Sequence, residues 1–200
     1  MDILLQKQYK ILLVGESSID VYALGNVDRH YNESKINNVY TGDAPIFEVK
    51  RLIEKNGMAL NVRESLLNLG NNVTFLTNKK KIQKKRYILE ESQEHFMRSD
   101  ENDVCKSLDA SQLESLKWSQ YDFVVISDYN KGLVTPEIVK TIVDKFKDHI
   151  FVDTKKTDLR PFENCILKIN QFENERVEYL PKNYELIVTS GEKGAVLMNK

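Results

Sequence analysis

Residues 122–132 read DFVVISDYNKG. Phe123–Ile126 is an apolar run without polar interruption, and it is bounded by charge at Asp122 and by a polar turn from Ser127 to Gly132. Asp122–Ile126 (DFVVI) therefore reads as a strand buried on both faces, the kind found in the middle of a parallel sheet. Downstream, 136–147 is an amphipathic stretch with Pro136 in its first turn, where the missing amide hydrogen costs nothing, so a helix is expected. His149–Val152 then reads as the next strand. Strand, helix and strand in this order imply a right-handed crossover and parallel pairing.

The rest of the chain has the same rhythm. Tyr9–Gly15 (YKILLVG) is a buried strand closing on Gly, and Ile46–Lys50 alternates like a half-buried strand. Leu60–Leu69 presents a helical apolar face stopped by Gly70. Strands are expected at Asn72–Leu76, Lys85–Glu90, Glu94–Arg98, Cys165–Ile169, Tyr184–Thr189 and Ala195–Met198, and a helix at Ala110–Lys117 with Ser111 near its start. The expectation is an α/β fold with a mostly parallel sheet covered on both faces. Ligands of such sheets bind beyond the carboxyl ends of the strands.

Composition narrows the function. The 29 Lys and Arg against 30 Asp and Glu leave a formal net charge of -1, without the basic excess of a dedicated nucleic-acid surface. With 41% hydrophobic and 30% charged residues, the chain has an ordinary globular mixture rather than a disordered one. The apolar runs fall far short of the roughly 20 residues that span a bilayer, and the first ten residues do not read as a signal peptide. Cys105 and Cys165 stand in no metal or redox spacing, which fits a reducing, cytoplasmic setting. His30, His95 and His149 are scattered and are read as surface or packing residues. The run Lys79–Lys85 (KKKIQKK) is either a solvated loop or an attractor of phosphorylated ligands.

No Walker A pattern and no Gly-rich dinucleotide fingerprint is present. The strand-end residues carry the chemistry instead. Asp20, just past the first strand, can grip a polyol with its two carboxylate oxygens, or cap a turn. Gly57–Asn61 (GMALN) places backbone amides and the Asn61 amide at a helix start, which suits hydroxyl recognition. Asp128 and Lys131 share one tight turn, and Asp153 and Lys155 repeat the pattern on the next loop. Each pair alone is an ordinary surface ion pair worth about 0–1 kcal/mol. Two at successive strand ends point to a hydroxylated, phosphorylated ligand.

Taken in order, these segments resemble the ribokinase-like (PfkB-type) sugar kinases, and among them the heptose 7-phosphate kinase domains of ADP-heptose synthesis. The carriers are GESSIDVYALG, DAPIFEVK, NGMALNVRESLLNLGNNVTFL, KKRYILEESQEHFMRSDEND, SDYNKGLVTPEIV, FVDTKKTDLRPFENCILKIN and VTSGEKGAVLM. The resemblance implies a three-layer αβα sandwich with a small β-lid over segments of about 21–50 and 85–100. It implies sugar contacts from Asp20, Gly57, Asn61, Arg98 (with Asp100), Asp128 and Lys131. NQFE resembles the family's Asn-x-x-Glu motif, which implies Asn170 and Glu173 beside magnesium-bound phosphates. Asp153, Lys155, Asn170, Glu173, Thr189 and Gly191, with Gly194 nearby, are then expected at the nucleotide. ATP and Mg2+ are the implied cofactors, a sugar or sugar phosphate the acceptor, and a homodimer through the lid the implied assembly.

Three departures modify the expectation. Met58 stands where the family has the second glycine of a pair, and Met lacks the φ freedom of Gly. After VTFLT the chain passes almost directly to KKKIQKKRY, as though one βα unit were deleted. The family's Gly-Ala-Gly-Asp segment, with its catalytic Asp, is not found before Lys200, so residues 1–200 are expected to form a single incomplete, C-terminally truncated kinase domain. Asp128 is the nearest substitute base. The alternative reading is a non-catalytic descendant that binds a sugar phosphate or a partner subunit.

Overall fold

A computed structural model describes residues 7–32 and 43–199. Positions 33–42 of the first expected lid segment, and the side chain of His30, lie outside what is described. In chain order the strands are β1 (Lys10–Gly15), β2 (Ser17–Asn32), β3 (Asp43–Met58), β4 (Asn72–Leu76), β5 (Ile82–Leu89), β6 (His95–Glu101), β7 (Phe123–Asp128), β8 (Ile150–Thr154), β9 (Cys165–Asn170), β10 (Tyr184–Thr189) and β11 (Ala195–Asn199). The helices are α1 (Ala59–Asn68), α2 (Ala110–Glu114), α3 (Pro136–Lys145) and α4 (Gln171–Asn174). No helix among the described residues is long and apolar enough to cross a membrane.

The chain divides into two compact units. The first comprises Met1–Ser18, Gly57–Lys81 and Val104–Lys200, and the second Ile19–Asn56 and Ile82–Asp103. The first unit carries a seven-stranded sheet in the order β11-β10-β9-β8-β7-β1-β4. Every pairing in it is parallel except β10 with β11. β1 lies between β7 and β4, and Ile11, Leu12, Leu13 and Val14 are all buried, so residues facing both sides of the sheet are covered there. Leu12, Val14, Val124, Ile126, Val152, Leu167 and Leu186 share one core with Leu113 of α2 and Ile138, Val139 and Ile142 of α3.

Coverage of both faces, expected for the whole sheet, holds for β1 but not for β8. That strand alternates buried and open positions, and Phe151 on it is 40% exposed. β9 likewise alternates buried and half-buried residues. Along these strands the packed face is the one that meets α2 and α3.

Local chemistry explains the helix boundaries. Thr135 caps α3 by accepting from the Ile138 amide at 3.4 Å, Pro136 follows, and Glu137 and Lys145 complement the helix dipole at its two ends. α1 ends where Gly70, at φ 84, lets its own amide reach the Leu67 carbonyl at 2.9 Å. α2 is shorter than expected. Its cap is Asp109, which accepts from the Ser111 amide at 3.0 Å, and the chain leaves the α conformation after Glu114 for a 3₁₀ turn at Trp118–Gln120.

The second unit is a four-stranded sheet, order β3-β2-β5-β6. β5 and β6 are antiparallel, with a register shift between Tyr87 and Ile88. The ring of Phe47 packs against Tyr87 at 5.2 Å and Phe96 at 5.8 Å. β2 was not expected as a strand, and it places Asp20 inside a long strand rather than in a loop after β1. β4 and β5 are joined by only Thr77–Lys81, which fits the missing βα unit and leaves β4 at the end of the parallel sheet's strand order. Asn78 replaces some of the lost packing with hydrogen bonds. It accepts from the Ser17 amide at 2.7 Å and donates to the carbonyls of Ser17 at 3.1 Å and Lys80 at 2.7 Å.

Gly15 marks the tightest junction. A Cβ there would lie 2.2 Å from the Ser127 carbonyl oxygen and 2.9 Å from the Ala59 Cβ, so the end of β1 touches β7 and the start of α1 with no room for a methyl group. The nearest obstacle is backbone and cannot rotate away. Gly15→Ala is expected to destabilise the protein by about 3 kcal/mol, read as a lower urea midpoint; an unchanged midpoint would show that this junction is loose.

Candidate functional site

The strand ends of the first unit are organised around Glu16. This residue follows β1 and is fully buried. Its Oε2 accepts from the Tyr129 amide at 2.8 Å, and its Oε1 from the amides of Lys131 at 3.1 Å and Leu133 at 3.2 Å. Its own carbonyl accepts from the Ala59 amide at 2.9 Å. One residue therefore ties the loop after β7 and the start of α1 to the end of β1. α1 has no side-chain cap of its own, and its N-cap residue Met58 sits at φ 54, ψ -135. This is backbone that glycine adopts readily and that strains a side chain such as that of Met58.

Asp128 ends β7 and is 1% exposed. Its Oδ1 accepts from the Asn130 amide at 2.8 Å, and its Oδ2 accepts from Thr154 Oγ1 at 2.8 Å and Lys156 Nζ at 2.6 Å. Its carbonyl accepts from the Lys155 amide at 3.0 Å. The expected pairing with Lys131 is replaced by one with Lys156, because the turn closes on the neighbouring loop rather than on itself. A buried carboxylate with three donors is the arrangement of a structural anchor.

The next two strands build a second cluster. Asp153 on β8 stands in register with Lys168 on β9, and Lys168 Nζ donates to Asp153 Oδ2 at 2.7 Å. Lys155 lies 3.9 Å from Asp153 Oδ1 and is hydrogen-bonded to Glu173 Oε1. Glu173 and Asn170 form a reciprocal cap on α4. Asn170 Oδ1 accepts from the Glu173 amide at 2.8 Å, and Glu173 Oε2 accepts from the Asn170 amide at 2.9 Å. The Lys155 ammonium also lies 5.6 Å from the Tyr129 ring centroid.

Electrostatics lock this cluster. Burial disfavours the charged form of Lys155, but the hydrogen bond and charge of Glu173, with Asp153 behind it, outweigh this and raise its pKa. Burial likewise opposes the Glu173 carboxylate, yet Lys155, the Asn170 amide and Lys168 hold its pKa below the usual value. Two ammonium groups face two carboxylates, so the cluster carries no net charge.

The expected nucleotide residues thus fall together in part. Asp153, Lys155, Asn170 and Glu173 make one cluster. Thr189 pairs with Asn170 across β9 and β10, and its hydroxyl donates to the Ile169 carbonyl at 3.4 Å. Gly191, at φ 58, opens the exposed turn beyond, which closes with Gly194 at φ 85. The expected substrate residues are divided between the units. Gly57 is buried, Asn61 is exposed on the first turn of α1, and Lys131 is half-buried, all in the first unit. Asp20 and Arg98 belong to the second. There Asp20 lies 3.2 Å from Arg86 Nη1, and Arg98 forks onto Asp100 with two bonds of 2.7 Å. Arg86 and Arg98 face each other in register across β5 and β6.

Sequence reasoning missed Glu16, Arg86, Thr154, Lys156 and Lys168. Two signals were present. Glu16 is an acid placed directly at the end of an apolar strand, and Lys168 interrupts the otherwise apolar CILKI of β9. The choice between Lys155 and Lys156 could not be made, since adjacent residues differ only in which way they point.

Comparison with known proteins agrees with this architecture. No known family profile matches the chain. It is 27% identical over 249 aligned positions to the bifunctional protein HldE of Campylobacter jejuni (strain RM1221), covering 100% of this chain and 52% of that protein. The chain thus spans about half the length of the curated relatives it matches. The 249 positions exceed the 200 residues present, so at least 49 of them lie opposite gaps in this chain, as internal deletion requires. Among solved structures, Arabidopsis thaliana ribokinase complexed with ribose and ATP superposes with a TM-score of 0.59 at 11% identity, covering 97% of this chain and 76% of that one. The tetrameric inhibited form of Escherichia coli phosphofructokinase-2 gives 0.57 at 16% identity, covering 96% and 77%. The fold is ribokinase-like.

Two outcomes are expected from variants of these clusters. Glu16→Gln leaves one oxygen to serve three amides and turns an NH2 group towards donors, so it should cost about 2 kcal/mol or more of unfolding free energy in urea melts; a smaller loss would mean that the loop after β7 holds itself. Lys155→Met should lower stability by under about 1 kcal/mol at neutral pH. Glu173 has a depressed pKa, so its share is present above its unfolded value of 4.5 and is lost as pH falls through the lower folded value. Lys155 has a raised pKa, so its share is present below 10.5 and is lost as pH rises through the higher folded value. The wild-type advantage should therefore be flat between these limits and vanish beyond them; an advantage that persisted at pH 2 would show that the pair is not its source.

Proposed function

We propose that this chain is a sugar-kinase domain that transfers the γ-phosphoryl group of ATP to a hydroxyl of a sugar or sugar phosphate of the heptose 7-phosphate kind. The observation that carries the reading is the cluster of Asp153, Lys155, Lys168, Asn170 and Glu173 at the carboxyl ends of β8 and β9. It stands on a ribokinase-like fold in a chain similar over its whole length to a bifunctional HldE protein.

Phosphoryl transfer needs chiefly positioning and neutralisation of charge. In this reading the ammonium groups of Lys155 and Lys168 face the ATP phosphates, with Glu173 and Asp153 fixing their positions. Thr189 and Gly191 sit beside the nucleotide. In the first unit, Gly57, Asn61 and Lys131 are the residues that this reading assigns to the acceptor. Asp128 acts through the loop it anchors. The cluster has no surplus positive charge to offer a triphosphate, so binding requires a cation brought with it. Asn170 and Glu173 already satisfy each other, and among the described residues no group of three or more His, Cys, Asp or Glu is set to hold a metal. In this reading these two residues would hold magnesium beside the phosphates. Bound there, magnesium supplies charge neutralisation of the phosphates.

One observation favours a second reading. Asp128, the substitute base, is buried and holds three donors. A carboxylate held in this way suits a protein that binds a sugar phosphate without phosphorylating it.

Calorimetry with ATP, followed by a phosphotransfer assay on heptose 7-phosphate, separates the readings. ATP should bind at least about tenfold more weakly without Mg2+, and Lys168→Ala should weaken Mg·ATP by about tenfold, equivalent to about 1.4 kcal/mol. Turnover supports the kinase. Saturable sugar-phosphate binding without turnover supports the second reading, and the absence of both overturns the two together.

A further inference from the structure

The tight passage from β4 to β5 leaves a cavity of about 460 Å³ in the first unit. Its size lies within the range of small-molecule sites. Val104, Cys105, Leu108 and Leu133 supply an apolar lining, and Lys79, Lys80 and Lys106 surround it. The three lysines are exposed. Among the described residues none of them makes an ion pair within 4 Å; the acid that lines the cavity is Asp109, whose carboxylate caps α2 and is lowered in pKa first by its bonds to Ser111 and only then by the charge of Lys79. Three ammonium groups against one carboxylate leave a surplus of two positive charges. The wall is also pre-formed, because Asn78 pins the carbonyls of Ser17 and Lys80, and the Cys105 and Leu108 amides donate to Lys131 at 2.8 Å and Leu133 at 3.0 Å. Val104 is 82% exposed, an apolar side chain held beside these cations with little cover.

We infer that this cavity binds an organic phosphate monoester with an apolar body, the phosphate meeting Lys79, Lys80 and Lys106 and the body lying on Val104, Leu108 and Leu133. The charge matches, since a phosphate monoester carries about -1.5 to -2 at neutral pH. The apolar lining separates this ligand from inorganic phosphate or a bare sugar phosphate. The inference is independent of the kinase reading.

Cys105 gives a built-in reporter, because it lines the cavity and is half-buried. Cys165, the other thiol, is buried, and burial with the nearby Glu163 pushes its pKa up to about 12, so it stays unreactive while the fold is intact. The probe is 1-naphthyl phosphate, with 1-naphthol and inorganic phosphate as the apolar and charged halves alone. Alkylation of Cys105 by iodoacetamide is followed by mass spectrometry. The expected result is at least about tenfold slower labelling at saturating naphthyl phosphate, weaker protection by either half, and loss of protection in Lys79→Glu with Lys106→Glu and in Val104→Asp, with Cys165 unlabelled throughout. No protection at millimolar naphthyl phosphate, equal protection by naphthol, or protection that survives the double charge reversal would overturn the inference.

Discussion

A carboxylate buried at the end of the first strand holds the candidate site in place. Glu16 accepts from three backbone amides of the loop after β7, at 2.8, 3.1 and 3.2 Å, while its carbonyl receives the first amide of α1. Backbone amides in such a loop have no ladder partner, and leaving them buried and unpaired would be costly. A single charged side chain satisfies them together. Gly15, immediately before, allows the strands and the helix start to approach closely enough for that carboxylate to reach.

From this anchor the strand ends form a chain of contacts. β7 ends on Asp128, which reaches Thr154 at the end of β8 and Lys156 on the loop after it. That loop carries Lys155, which reaches Glu173 beyond β9. Each strand's polar terminus is thus held by its neighbour in the sheet. The result is a rigid edge in which charges cancel pairwise.

Much of the fold was legible in the sequence. β4 and β10 match their expected limits, β9 differs by one residue, and α1, α3 and β7 match within two residues. Apolar periodicity and the stops at Gly70 and Pro136 are local signals, and local signals survive folding. The long strand β2 was not legible. GESSIDVYALG contains two glycines and two serines, and its strand character depends on pairing with β3 and β5. Of the site, the acids and lysines at the strand ends were visible as residue types. Their partners were not, because a partner depends on the direction of a side chain and on the register of a strand distant in sequence.

The sequence by itself determined the alternating order of strands and helices, the parallel sheet, and the placing of polar groups at its carboxyl edge. These follow from hydrophobic spacing and from the handedness of crossovers. Only the tertiary structure decided that Asp128 serves Lys156 rather than Lys131, and that Lys168 joins Asp153. It alone revealed that Glu16 underlies the whole edge and that the shortened β4–β5 connection leaves a lysine-rimmed cavity. Hydrogen bonds and ion pairs act over about 3 Å, and residues up to 117 positions apart in the chain come within that reach only once the sheet has set its register.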